Sequence, residues 1–506
     1  MTRGPRLSPS RAEWTTLDRD LDRLTVLEAG AIYLSRPLLG AGIALAFIVC
    51  ATLLAGGLTG GLMGGPEGDI GGAPGSLLVI TAAALGAYMA LNIGANDVAN
   101  NMGPAVGSGA LSMMSAICLA AVFEISGALI AGHDVVDTLA REVVPPAHVA
   151  QIADFPLAMI AALLGSALWI NLATWLRAPV STTQAVIGGM LGSVTAAAGL
   201  WAFNWPTLGA ITLGWVLSPL MGAVVAAGLL AFIKWRVLYV EDKVAAARLW
   251  LPVLIGLMAA AFTTYLLLKA PPRFLRPDPA LAGGMGLLAG ALATVIAVPR
   301  IRRLSEGMEN RRSALKPLFR LPLVFSAALL SFAHGANDVS NAVGPLAALV
   351  QARQAGALQA VVPVPFWVMA MGAAGIATGL LLFGPRLIRM VGSEITRLNP
   401  TRAFCISLSA AVTVLIASAF GLPVSSTHIA IGAVFGVGFF REWFMARQGR
   451  EADPDRRFPV EERRRRRLVR RSHFLTIVGA WLITLPAAAA VSALAFFLLR
   501  ALTTLF

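Results

Sequence analysis

Apolar and polar positions along this chain do not alternate at a strand or amphipathic-helix period; they form long apolar runs separated by short polar stretches. A helix needs about 20 apolar residues to cross a bilayer. Runs of that kind occur near 37–57, 77–95, 108–132, 152–176, 179–199, 208–232, 249–268, 281–298, 322–349, 364–384, 403–420, 423–440 and 474–499. The pattern predicts an all-α protein embedded in a membrane. The runs at 179–199 and 423–440 are rich in Gly, Ser and Thr, and are expected to be re-entrant rather than fully crossing.

The polar stretches set the orientation. The loop 56–76 carries only Glu67 and Asp69, whereas 233–248 and 299–321 are both basic and have two runs between them. Basic loops favour the cytoplasmic side, which puts the N-terminus inside and the C-terminus outside unless one segment folds back. Arg302, Arg303, Arg311, Arg312 and Lys316 fill one such loop, and five consecutive arginines from Arg463 to Arg467 begin another. Before the first run, Trp14, Leu17, Leu21 and Leu24 recur at helical spacing among charged residues, which predicts an amphipathic surface helix. No apolar h-region precedes residue 37, so no cleavable signal is expected.

Composition agrees with the pattern. Of 506 residues, 57% are hydrophobic and 13% charged, about half the charged fraction of a soluble domain, and the mean hydropathy is +0.75. The net charge of +14 would suit a nucleic-acid partner if it covered one globular face. It lies in short loops instead, so the expected partner is the bilayer and no nucleic acid. Cys50, Cys118 and Cys405 sit apart in apolar runs without metal-ligand spacing and are expected to be core residues.

The chain repeats itself. Gly94–Pro104 reads GANDVANNMGP and Gly335–Pro345 reads GANDVSNAVGP, identical at eight of eleven positions. Pro179–Gly192 (PVSTTQAVIGGMLG) and Pro423–Gly436 (PVSSTHIAIGAVFG) agree at seven of fourteen. The second copies follow the first by 241 and 244 positions, so order and spacing are both kept. By the list of runs the two GANDV segments lie an odd number of crossings apart. The copies are therefore expected to have inverted topology, with a site near the midplane between them, as in many secondary transporters.

The motifs suggest the chemistry. A carboxylate inside an apolar span costs about 2.5–3.5 kcal/mol on insertion scales, so Asp97 and Asp338 are expected to have a function. Asn96, Asn100, Asn337 and Asn341 flank them. If the helix breaks at Gly94 and Gly335, carboxylate, amide and freed carbonyl oxygens together make a site for a hard cation such as sodium at Asp97, Asp338, Asn96 and Asn337. Asn and Asp as plain caps of a broken helix are the alternative.

In the second motif, Pro179 and Pro423 can end one helix and let another begin, with Ser181, Thr182, Thr183, Ser425, Ser426 and Thr427 at the new N-terminus. Hydroxyls, free N–H groups and the helix dipole suit a tetrahedral oxyanion; close packing through the adjacent glycines is the other reading. Neither motif contains Arg or Lys, the nearest being Arg177, so an anion would need a bound cation beside it. Phosphate retains protons to donate to a carboxylate at neutral pH, and sulfate has none.

The doubled GANDV with a doubled PVS[ST]T resembles the inorganic phosphate transporter family, Pit, over nearly the whole chain after residue 77. That resemblance implies a sodium- or proton-coupled phosphate symporter with broken helices, re-entrant hairpins, about 12 transmembrane segments and a homodimeric state. It implies no enzymatic activity and no cofactor beyond the coupling ion. It also implies a multi-pass location in the cell (inner) membrane.

Glu124 resembles a glutamate that the family carries after its first GANDV. Gly379 answers Gly127 in the second copy, with Ile376 where the first has the acid. Glu124, Gln184 and His428 are candidates for coupling or gating. The family often has His at both of the last two positions, so Gln184 is a departure, as is Ser407, where many members have an acid.

The expected organisation is a tail at 1–36, a first helix and outer loop at 37–76, and a first repeat at 77–232. Two intervening helices and loops at 233–321 precede the second repeat core at 322–440, a basic loop at 441–472 and a last helix at 473–506. The rival functions are a sulfate permease of the same family, a solute channel, and an intramembrane hydrolase using Ser425, His428 and Asp338.

Overall fold

Backbone polar groups in a bilayer must be paired within the chain, which leaves apolar runs of this length little choice but helix. The computed structural model describes residues 38–58, 74–176, 180–269, 277–354, 363–394, 399–452 and 471–505. The expected N-terminal amphipathic helix, Pro179, Arg177 and the five-arginine run lie outside the described residues.

The longer helices are α1 (Leu38–Leu58), α2 (Pro74–Gly107), α3 (Met113–Ala131), α6 (Phe155–Trp175), α7 (Thr182–Ala198) and α8 (Trp205–Ile233). They continue with α9 (Lys243–Lys269), α10 (Pro279–Leu304), α11 (Arg320–Gln354), α12 (Phe366–Glu394), α13 (Pro400–Ala419), α14 (Ser426–Ala452) and α15 (Arg471–Leu505). Short helices α4 (His133–Asp137) and α5 (Pro146–Val149) link α3 to α6.

Eleven helices among the described residues are long and apolar enough to cross a membrane. Thirteen runs were expected, and the two not among the eleven are those at 179–199 and 423–440. The reason is visible in each. α7 has 17 residues, about 25 Å of helix against a hydrocarbon core of about 30 Å, and α14 runs on past Phe440 into Arg441, Glu442 and Arg447.

The two copies make matching contacts. α7 packs on α15, and α14 packs on α8. At the first contact, a Cβ on Gly192 would lie 1.9 Å from the Ala489 carbonyl oxygen; at the second, one on Gly436 would lie 2.1 Å from that of Ala223. α2 crosses α12 and α3 crosses α11 in the same reciprocal way. Gly94 faces the Ile376 carbonyl and Gly335 that of Glu124.

These glycines permit helix crossings that any side chain would block. Gly192→Ala and Gly436→Ala are therefore expected to lower stability by about 1–3 kcal/mol. Gly209→Ala and Gly284→Ala, where an added methyl meets nothing within 4 Å, are expected to be neutral or slightly stabilising. Thermal unfolding followed by tryptophan fluorescence separates the two pairs, and equal midpoints for all four would refute the assignment.

Candidate functional site

The GANDV motifs sit on unbroken helices. α2 and α11 run straight through Gly94 and Gly335, with 34 and 35 residues respectively, so the expected break, and the freed carbonyls it would supply, are absent there. The glycines are crossing points, not hinges, and Asp97 and Asp338 project from continuous helices into a fully buried interior.

The chain breaks at the PVS motifs instead. Ser181, in an extended conformation, caps α7, and Ser425 stands directly before the first residue of α14. Their hydroxyl oxygens accept the N–H of Gln184 (3.1 Å) and His428 (3.2 Å). A Ser cap satisfies one of the donors left open at a helix start. The turn before α14 needs Gly421 in the left-handed region (φ +66°), and the Pro423 carbonyl accepts the indole N–H of Trp215 (3.2 Å).

Both helix starts face the two carboxylates. Thr182 donates to Asp97 Oδ2 (3.2 Å) and Ser426 to Asp338 Oδ2 (2.9 Å), which are equivalent bonds in the two copies. Asn100 donates to Thr427 (2.9 Å) and Asn341 to Thr183 (3.0 Å), again equivalent, and each joins one copy to the other. Thr427 also donates to Asp97 Oδ1 (3.2 Å). Each aspartate accepts from its own asparagines: Asn96 and Asn100 for Asp97, Asn337 and Asn341 for Asp338. The expected cation and anion residues thus form one cluster, in which Thr182, Ser426 and Thr427 already donate to the carboxylates.

The copies differ in detail. Asn337 exchanges two bonds with the backbone of Val424 (2.7 and 3.2 Å) and so pins the segment before α14. Thr183 donates to the same Val424 carbonyl (3.0 Å). Asn341 keeps a buried amide oxygen with no hydrogen-bond partner.

Three of the buried polar residues that have no polar equivalent in the other copy meet. His334 stands where the first copy has Ile93, Glu124 where the second has Ile376, and Asn101 where the second has Ala342. The His334 ring lies with Nε2 2.7 Å from Asp338 and 3.9 Å from Asp97, and with Nδ1 3.3 Å from Glu124. Asn101 donates to Glu124 Oε1 (2.9 Å).

A neutral imidazole carries one N–H, yet both ring nitrogens face carboxylate oxygens. A neutral ring can therefore donate to only one of the Asp338 and Glu124 carboxylates at a time. Asp97, His334 and Asp338 can also converge on a single cation.

The sequence reading missed His334 and Asn101. The available signal was local: His334 immediately precedes GANDV and lies one helical turn before Asp338. Comparing the copies for identity hid it, because the asymmetry is what marks it.

His428 and Gln184 occupy other places. His428 stacks on Trp481 of α15 (ring centroids 3.9 Å apart) with its Nε2 unpartnered, and the Gln184 side-chain oxygen is buried without a partner. Ser407 is likewise buried and unpartnered.

The family model described as "Phosphate transporter family" matches residues 93–492. The chain is 50% identical over 369 residues to a Helicobacter pylori (strain J99) protein named "Putative phosphate permease", covering 72% of this chain and 69% of that one. A Pyrococcus abyssi protein of the same description is 36% identical over 420 residues, covering 81% and 95%. Among solved structures, one titled "The sodium-dependent phosphate transporter" superposes with a TM-score of 0.74 at 30% identity, covering 84% of this chain and 99% of that one. With eleven membrane-length helices and a family match over most of its length, the chain belongs to the phosphate transporter family, as a multi-pass membrane protein and not an enzyme.

Proposed function

We propose that the chain is a secondary active symporter of the inner membrane, with its N-terminus in the cytoplasm, that imports inorganic phosphate together with sodium ions or protons. The observation that carries this reading is the set of equivalent bonds from the hydroxyls of both PVS motifs to the carboxylates of both GANDV motifs. The reciprocal helix contacts support two copies related by a pseudo-two-fold axis. An axis in the membrane plane makes the repeats inverted. In that reading α15 is the second copy's equivalent of α8, so the second repeat extends beyond residue 440 to the last helix.

Coupling follows from shared donors. Thr182, Ser426 and Thr427 donate to Asp97 and Asp338. An incoming phosphate competes for those hydroxyls and for the N–H groups at the starts of α7 and α14. The aspartates that lose their donors become better sites for a cation, and a bound cation in turn lowers the repulsion on the anion. Each ligand raises the affinity for the other, as linkage requires. Carboxylate and amide oxygens suit sodium, and the structural neighbour's title names that ion.

Uptake of radiolabelled phosphate into proteoliposomes tests the proposal. Uptake is expected to depend on an imposed sodium or proton gradient and to resist excess sulfate. Uptake indifferent to both gradients would favour a channel, and equal inhibition by sulfate and phosphate would favour a general oxyanion permease.

A further inference from the structure

A second cluster of charge lies away from this site, just past the middle of α14. Lys234, in the turn of π-helix that ends α8, is 9% exposed. Its amine lies over the rings of Phe444 (3.8 Å) and Phe440 (5.2 Å). Tyr239 packs edge to face on Phe444 (5.0 Å) and carries Arg312 on its ring, Arg441 follows Phe440 on α14, and the positive field at Lys234 is completed by Arg402.

Arg312 stacks on Tyr239 (3.5 Å) and donates to the Leu238 carbonyl. Arg402 is held by Asn399 (3.2 Å) in the first turn of α13, where the helix dipole already presents positive charge. None of the four makes an ion pair among the described residues, and Glu442, beside Arg441, pairs with none of them.

Four cations from separate segments of the chain, with no acidic partner among the described residues, make a positive field that an anion would relieve. The surroundings say which kind. The cluster sits where α8, α13 and α14 reach the face bearing the basic loops 233–248 and 299–321. Trp235 (56% exposed), Trp443 (50%) and Phe439 (54%) stand outward beside it. Exposed tryptophans beside a cluster of cations are the signature of the membrane–water interface, where anionic headgroups are concentrated.

We propose that Lys234, Arg312, Arg402 and Arg441 bind the phosphate of an anionic phospholipid headgroup. The lipid would lie against α14, whose first turn supplies Ser426 and Thr427 to the buried carboxylates. It would brace that helix from the membrane surface. The assignment does not depend on which ion is transported.

Native mass spectrometry of the full chain, offered phosphatidylglycerol and phosphatidylcholine together, tests it. The wild type is expected to retain phosphatidylglycerol preferentially. Arg402→Gln and Arg441→Gln should each reduce that retention about fivefold, which corresponds to about 1 kcal/mol per surface cation. Arg303→Gln, an exposed cation at the end of α10, should leave it unchanged.

Lys234→Met removes a buried group and is not needed for the decision, since both arginines are only half-buried. Equal retention of the two lipids by the wild type would overturn the proposal, as would equal losses in Arg303→Gln and the cluster variants. Displacement of phosphatidylglycerol by millimolar inorganic phosphate would assign the cluster to a free anion instead and likewise reject the lipid.

Discussion

Proteoliposomes carrying Asp338→Asn are expected to take up phosphate about a hundredfold more slowly than wild type, and Asp97→Asn should fall in the same range. Asp338 accepts from Asn337, Asn341 and Ser426 and lies 2.7 Å from the His334 ring, with no exposure to solvent. Taking the charge out of such a buried network while its partners stay costs about 3–5 kcal/mol, a factor of 10² or more in an equilibrium constant.

Removing a single donor is milder. Ser426→Ala and Thr182→Ala each lose one bond to a charged acceptor, worth about 1.5–3 kcal/mol, and by their equivalence they should act alike. Initial rates normalised to protein in the vesicles are the measurement. Wild-type rates in either aspartate variant would remove the cluster from the mechanism, and wild-type rates in both hydroxyl variants would remove the shared donors from it.

Much of this cluster was legible because membrane burial makes polar residues conspicuous. Asp97, Asp338 and the PVS hydroxyls stand out in runs that are otherwise apolar, and their doubling marks them a second time. Their convergence follows from the same fact, since a buried carboxylate needs donors and the helix starts hold them.

Less legible was what depends on how helices cross. A helix break at Gly94 and Gly335 was one expectation, whereas each sits under a carbonyl of a crossing helix with no room for a methyl. A glycine that breaks a helix and one that lets another helix approach look the same in a one-dimensional sequence. The surroundings of His428 were no more legible. Its place beside PVSST suggested a group facing the site, but its ring lies on Trp481, a residue of the last helix that no local pattern connects to it.

Replacing His334 by isoleucine, the residue at the equivalent position of the first copy, should produce the other large effect and should be partly reversible. The substitution leaves Asp338, Asp97 and Glu124 facing one another with the ring's N–H gone. A loss of about 3–5 kcal/mol in stability, or absence of the folded protein, is expected.

Much of that loss comes from like charges brought together, so a second change that removes one of them should recover part of it. Glu124→Gln keeps an oxygen for Asn101 and discards the charge. The double variant His334→Ile with Glu124→Gln should therefore be more stable than His334→Ile alone, with a coupling of about 1–3 kcal/mol between the two positions. Thermal midpoints of the wild type, both single variants and the double variant complete the cycle.

Additive effects would mean that His334 and Glu124 do not act on each other, and the asymmetric trio would then be three separate substitutions in the repeat. A strong coupling would show instead that the chain concentrates its departure from symmetry in one connected group. The two aspartates would then occupy unequal surroundings, and the two halves of the site could not be interchangeable in holding the anion and its cation.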